Sequence, residues 1–186
     1  GAALMAPLAW WLVPDRPADV GLRSYGSAPD AEVQAAGLLA LMGIFDLVGT
    51  TASGWLTDRY DPRRLLFVYY SLRGLSLMYL PYSDFSFYSL SLFAIFFGLD
   101  WIATVPPTLR LTTEAFGDRD APIVFGWIVA GHQLGAASAA WMGGVVRETT
   151  GSYLMAFVLA GSTGLIAAVI ALMINRKPRP TALAEA

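Results

Sequence analysis

Charged residues are all but absent from five long stretches of this 186-residue chain: Val33–Leu56, Leu65–Tyr82, Phe85–Pro106, Ile123–Val146 and Tyr153–Ile174. Each is close to the roughly 20 residues that a helix needs to cross a bilayer. A membrane barrel would show segments of about 10 residues with alternating polarity, whereas these stretches are continuously apolar and rich in Leu, Ala, Gly and Phe. Composition agrees, because 56% hydrophobic and 14% charged residues leave too few charges to coat a globule, and soluble chains carry about 25%. The expected fold is therefore an all-α membrane protein with five transmembrane helices. Cysteine is absent, which excludes a disulfide framework, thiolate metal sites and cysteine nucleophiles. A net charge of −2 gives no support to nucleic-acid binding. The opening GAALMAPLAW has no basic residue ahead of its apolar run, unlike a secretory signal, and reads as an excerpt from a longer chain.

Loop charges orient the spans, since cytoplasmic loops retain an excess of Lys and Arg. Arg59, Arg63 and Arg64 follow the first span, the turn from Pro81 to Ser86 has no basic residue, and Arg110 and Arg119 follow the third. Arg147 stands beside Glu148 near the turn at Gly151, and the tail carries Arg176, Lys177 and Arg179. This alternation places the Thr57–Arg64 loop, the Thr108–Asp120 loop and a cytoplasmic tail at 175–186 inside. The turns near Asp84 and Gly151 then lie outside. Tyr79, Tyr82, Phe85, Phe87 and Tyr88 crowd the outer turn as an interfacial aromatic belt does. Gly1–Val13 is apolar but too short to span, and Pro14–Glu32 reads as a loop on its prolines and glycines. Parity puts the far end of that loop outside, although Arg16 and Arg23 suit the inside better.

The loop Gly54-Trp-Leu-Thr-Asp-Arg-Tyr-Asp-Pro-Arg-Arg64 resembles the signature loop of major facilitator superfamily transporters, Gly-x-Leu-x-Asp-Arg-x-Gly-Arg-Arg/Lys. Gly54, Leu56, Asp58, Arg59 and Arg63 match it, while Asp61 and Pro62 replace its second Gly and the Arg that follows. PDRPADVGLRSYG at Pro14–Gly26 resembles the central loop between the two six-helix halves of the monocarboxylate and oxalate/formate carrier branch. FGLDWIATVPPTLRLTTEAFG at Phe97–Gly117 resembles that branch's tenth helix and the loop after it. The resemblance implies a partial C-terminal half. Residues 1–13 would end helix six, 14–32 would be the central loop, and residues 33–174 would hold helices eight to twelve, with no counterpart of helix seven.

Three charged residues fall inside the spans: Asp46, Arg73 and Asp100. A carboxylate at the centre of a membrane helix costs roughly 2.5–3.5 kcal/mol on insertion scales, so Asp46 is the most informative. Gly43, Asp46, Thr50, Ser53 and Thr57 form one polar stripe at helical spacing. The stripe is expected to face a water-filled cavity, where Asp46 takes a proton or pairs a cation; the alternative is a structural Asp bonded between helices. In the resembling carriers an Arg follows such an Asp by one turn. Here that position is Thr50. Arg73 either recognises a carboxylate through its planar fork or forms an internal ion pair with Asp46 or Asp100. Asp100 is expected in such a pair. His132 is open to proton coupling or to hydrogen-bonded packing, and Tyr69 and Thr50 are further cavity residues. Gly54, Asp58, Arg59 and Arg63 form an inner-loop conformational latch; on the other reading Arg59, Arg63 and Arg64 are only topology anchors. Pro106-Pro107 is expected to stop or kink its helix. Small residues at Gly131, Gly135, Ala136, Ala139 and Gly143, and at Ala160, Gly164, Ala167 and Ala171, are expected to let helices approach closely.

No metal cluster, cofactor-binding motif or nucleophile with its base stands out, so an enzyme is not expected. The leading function is secondary transport of a small organic solute, expected to be a carboxylate, by alternating access in the inner (plasma) membrane. The expected partners are the solute, membrane lipid and the N-terminal half of the same carrier, with no nucleic acid. The competing reading is a non-transporting membrane sensor or assembly subunit derived from a carrier.

Overall fold

The computed structural model describes residues 29–174, and every regular element among them is helical. The helix end expected at 1–13, most of the central loop expected at 14–32 and the tail at 175–186 lie outside the described residues. The chain divides into two compact units, Gly1–Gly37 and Leu38–Ala186; the contacts described here belong to the second.

Helix α1, Pro29–Thr57, begins ahead of the expected Val33. A proline in the first turn supplies a helical φ, and the N–H it lacks has no intrahelical partner there. Helix α2, Pro62–Tyr79, starts on the same logic, with Pro62 in its first turn and the Asp61 side chain accepting from Arg63 N. It runs into a 3-10 turn at Leu80–Tyr82. Helix α3, Phe87–Asp100, is capped by Ser86, whose hydroxyl accepts from Ser89 N. Helix α4, Val105–Thr150, is a 46-residue run broken at Gly117 (φ 80, ψ 166). Gly151 (φ 71) ends it by donating to the Arg147 carbonyl at 2.9 Å, and α5 follows at Leu154–Leu172.

Two expectations are corrected in α4. The Thr108–Asp120 segment, read as a loop on its charges, is helical except at Gly117. Its charges support the helix, because Arg110 Nε donates to Glu114 one turn on at 2.9 Å. Pro106-Pro107 does not stop a helix but lies in the first turn of one, behind Thr104 as the capping residue. The preceding helix has already ended at Asp100.

By length and composition three described stretches are able to cross a membrane: Val33–Thr57, the 64-residue Phe87–Thr150 and Leu154–Leu172. Apart from Phe85 and Ser86, the expected third and fourth spans lie within the second of these, whose continuity is interrupted at residues 101–104 and at Gly117. α2 is not among the three; Arg63, Arg64 and Arg73 set it apart.

Backbone contact positions the site. A Cβ on Gly98 would lie 2.6 Å from the Met42 carbonyl oxygen, and one on Gly49 would collide with the Leu99 backbone. α1 and α3 thus meet main chain to main chain, which draws the Asp46–Ser53 face of α1 against the end of α3. α2 and α5 meet likewise, since a Cβ on Gly74 would lie 2.7 Å from the Gly161 carbonyl oxygen. Leu66, Leu111 and Ala171 form a buried cluster with Tyr70 against it. The other small-residue stripe behaves differently. Nothing lies within 4 Å of a Cβ placed on Gly131, Gly135 or Gly143, and Gly135, Ala139 and Gly143 line a groove that faces Ala156 and Ala160 of α5.

Candidate functional site

Residues 101–104, between α3 and α4, are not helical; local turns pair the Trp101 N–H and the Ile102 and Thr104 carbonyls, and the Ile102 N–H and the Asp100, Trp101 and Ala103 carbonyls take partners from elsewhere. In hydrocarbon each unsatisfied group costs several kcal/mol. Three polar side chains supply them. The Ile102 N–H donates to Asp46 Oδ1 at 3.0 Å, and Ser53 donates to the Ala103 carbonyl at 2.5 Å. Arg73 Nη2 donates to the Asp100 carbonyl and to the Trp101 carbonyl at 3.0 Å. Two helices thereby hold one break, α1 from one side and α2 from the other.

Arg73 also donates through Nε to Asp100 Oδ2 at 2.8 Å. The Asp100 side chain is 3% exposed, so this pair is shielded from water. Its other oxygen, Oδ1, has no hydrogen-bond partner among the described residues. With Nε and Nη2 both engaged, the planar fork of Arg73 is turned toward the protein. The ion-pair alternative for Arg73 has its partner in Asp100; Asp46 contacts backbone and Thr50 instead.

The polar stripe of α1 divides in two. Ser53 and Thr57 are buried and Thr57 donates to the Ser53 carbonyl at 2.7 Å; Ser53 packs against protein, whereas Thr57 borders a cavity beside Gly54 and Asp58. The other half lies open. Gly43 and Asp46 line a cavity of about 200 Å³ with Leu39, Met42 and Trp101, and Thr50 donates weakly to Asp46 at 3.4 Å. Tyr69 is half-buried on α2, and His132 is exposed on the part of α4 beyond Gly117; neither lines the Asp46 cavity.

A larger cavity, about 500 Å³, opens where the α1–α2 loop meets α4, lined in part by Gly54, Asp58, Pro106, Arg110 and Glu114. Asp58 is exposed and lies 3.6 Å from Arg110, which is bonded more closely to Glu114 at 2.9 Å. The arginines of the loop point elsewhere. Arg59 stacks over the Trp55 ring, 3.9 Å from its centroid, and Arg63 pairs with Asp61 at 2.8 Å while donating to the Ile174 carbonyl at 3.2 Å. The hydrogen bonds that Arg63 donates to the Asp61 carboxylate raise its pKa above the ordinary value.

Reading the sequence missed Asp61, Arg110 and Glu114, and it missed Ser53 as a backbone donor. Three of these had a local signal: Asp61 in Asp-Pro, a helix start, and Arg110 and Glu114 in the spacing of a helical ion pair. Ser53 had none, because its partner is 50 residues away. Among the described residues no three His, Asp or Glu side chains are grouped to hold a metal ion.

A family model described as Major Facilitator Superfamily matches residues 2–186. The chain is 33% identical over 130 residues to Monocarboxylate transporter 13 of Rattus norvegicus, covering 69% of this chain and 30% of the relative. It is 30% identical over 141 residues to Monocarboxylate transporter 12 of Homo sapiens, covering 74% of the chain and 27% of the relative. An uncharacterized MFS-type transporter, YcxA of Bacillus subtilis (strain 168), is 27% identical over 127 residues, covering 64% and 30%. The chain spans about 30% of the length of the curated relatives it matches. No solved structure is significantly similar to it.

Proposed function

Because the chain belongs to the Major Facilitator Superfamily, a family of multi-pass membrane transporters, we propose that it serves as the C-terminal bundle of a secondary carrier for a small organic carboxylate. Alternating access against an N-terminal half moves the solute, with binding near the membrane midplane between the halves. The observation that carries the substrate class is the likeness, over 69–74% of the chain, to proteins named as monocarboxylate transporters. The solute-facing group is Asp46, the one carboxylate lining the Leu39–Trp101 cavity, with Thr50 beside it. Arg73 serves the protein itself, since Nε and Nη2 are engaged by Asp100 and two main-chain carbonyls. At the other cavity, Asp58 and Arg110 act as a conformational latch, loose enough at 3.6 Å to open in each transport cycle. The bundle lies in the inner (plasma) membrane with its C-terminus in the cytoplasm.

The test is uptake into proteoliposomes of the full-length carrier, using radiolabelled monocarboxylates, dicarboxylates and neutral sugars. Saturable uptake of a monocarboxylate, lost in Asp46→Ala, is the expected result. Flux of sugars alone would overturn the substrate class, and uptake unaffected by Asp46→Ala would remove Asp46 from the solute path.

A further inference from the structure

Membrane helices tolerate a break only where protein or a water-lined cavity satisfies the freed backbone. At residues 101–104 the break has a built solution: one acceptor, Asp46, for the Ile102 N–H, and two donors, Ser53 and Arg73, for the carbonyls of Asp100, Trp101 and Ala103. We propose that Asp46, Ser53 and Arg73 are positioning residues. They hold the non-helical 101–104 segment so that Trp101 forms a wall of the Asp46 cavity.

Four observations converge on this. Pro107 has no N–H to give the Ala103 carbonyl four residues back, and Ser53 supplies the missing donor. The three side chains come from two helices and meet consecutive residues. Gly49 and Gly98 let α1 and α3 approach closely enough for Asp46 and Ser53 to reach the segment. Trp101, whose carbonyl Arg73 holds, lines the same cavity as Asp46. The part Asp46 plays here is that of a hydrogen-bond acceptor, for which its charge is not required. An amide in its place still offers a carbonyl oxygen to Ile102, whereas a methyl group offers none. The proposal concerns the backbone and holds whichever solute is carried.

Hydrogen–deuterium exchange of the full-length carrier in lipid nanodiscs, read on peptides spanning residues 99–105, tests it without any solute. Wild type and Asp46→Asn are expected to exchange alike, and Asp46→Ala about tenfold faster at one amide, as loss of one hydrogen bond of roughly 1 kcal/mol predicts. Alanine removes a charge from an apolar helix, so insertion is not threatened. The paired variant Arg73→Met with Asp100→Asn, which leaves no lone buried charge, is expected to loosen the same peptides. If Asp46→Asn exchanges as fast as Asp46→Ala, charge and not acceptor geometry is at work and the proposal fails. If neither Asp46→Ala nor the paired variant changes exchange, the segment is held by something else and the proposal fails again.

Discussion

The Val105–Thr150 run and the helix before it contain two interruptions, and they are held in different ways. Residues 101–104 are surrounded by Asp46, Ser53 and Arg73, each bonded to a main-chain atom. Gly117 has nothing within 4 Å of where its Cβ would be, and the residues from Ala115 to Asp120 are exposed. The first interruption lies inside the Phe85–Pro106 stretch read from the sequence as a membrane span, where each freed backbone group needs a partner in the protein. The second lies among Asp118, Arg119 and Asp120, where water serves. It requires only a residue that tolerates φ 80 and ψ 166, a region that is essentially glycine's alone. A break within lipid is made by tertiary contacts, and a break near water by one local residue.

Removing the clamp from one side sharpens this contrast most. Arg73→Ala leaves Asp100 buried and unpaired, and breaking a buried pair costs about 3–5 kcal/mol; thermal unfolding in detergent should show a large loss. Recovery is expected when Asp100→Asn is added, and an equal loss in the double variant would show that the pair itself is not the source. Next come Gly98→Ala and Gly49→Ala, whose new methyl groups meet backbone on the facing helix. Overpacking of this kind costs about 1–3 kcal/mol. Both should loosen residues 101–104 in exchange measurements while leaving residues 115–120 unchanged. Gly117→Ala should cost about 1–3 kcal/mol through backbone strain alone, and no compensating change in a neighbour should restore it. If a second-site change does so, Gly117 has a tertiary partner and the contrast breaks. Ser53→Ala should cost about 1 kcal/mol, the value of one hydrogen bond, read by the same melting curve.

The smallest effect is one of pH. Hydrogen bonds from Ser89 and Ser86 hold Asp84 below its ordinary 3.8. Its contribution to stability is therefore complete above that value and lost as pH falls below it toward the lowered one. Since Asp84 is ionised in both the folded and the unfolded chain from pH 7 to pH 5, melting across that range should show no change from this group, and Asp84→Asn should differ from wild type only in that same upper range.

Much of the fold was legible because leaving water is a property of composition over about 20 residues. The bounds expected for the last span, Tyr153–Ile174, agree closely with the helix Leu154–Leu172. Charge misled at Thr108–Asp120, where a helix edge facing water has the composition of a loop. Proline misled twice, at Pro29 and at Pro106-Pro107, because the same residue that ends a helix interior is well placed in a first turn. At the site, the cost of charge in lipid was enough to single out Asp46, Arg73 and Asp100. The Arg73–Asp100 pair was among the readings that the sequence offered, whereas the main-chain partners of Asp46 and Arg73 were not legible. Ser53 looked like one more member of a stripe, and Asp61 like a lapse from a signature loop, until Asp61 proved to cap α2.

By itself the sequence determined which segments are apolar enough for lipid and which few charges must find partners there, since both follow from the free energy of transferring local groups out of water. Only the tertiary structure decided what those charges meet. Asp46 and Arg73 find main-chain atoms at residues 100–102 because α3 stops at Asp100 and because Gly49 and Gly98 let the neighbouring helix come close enough to reach them. A hydrogen bond is directional and short-ranged, so its partner is set by how helices pack, and no count of residues along the chain contains that information.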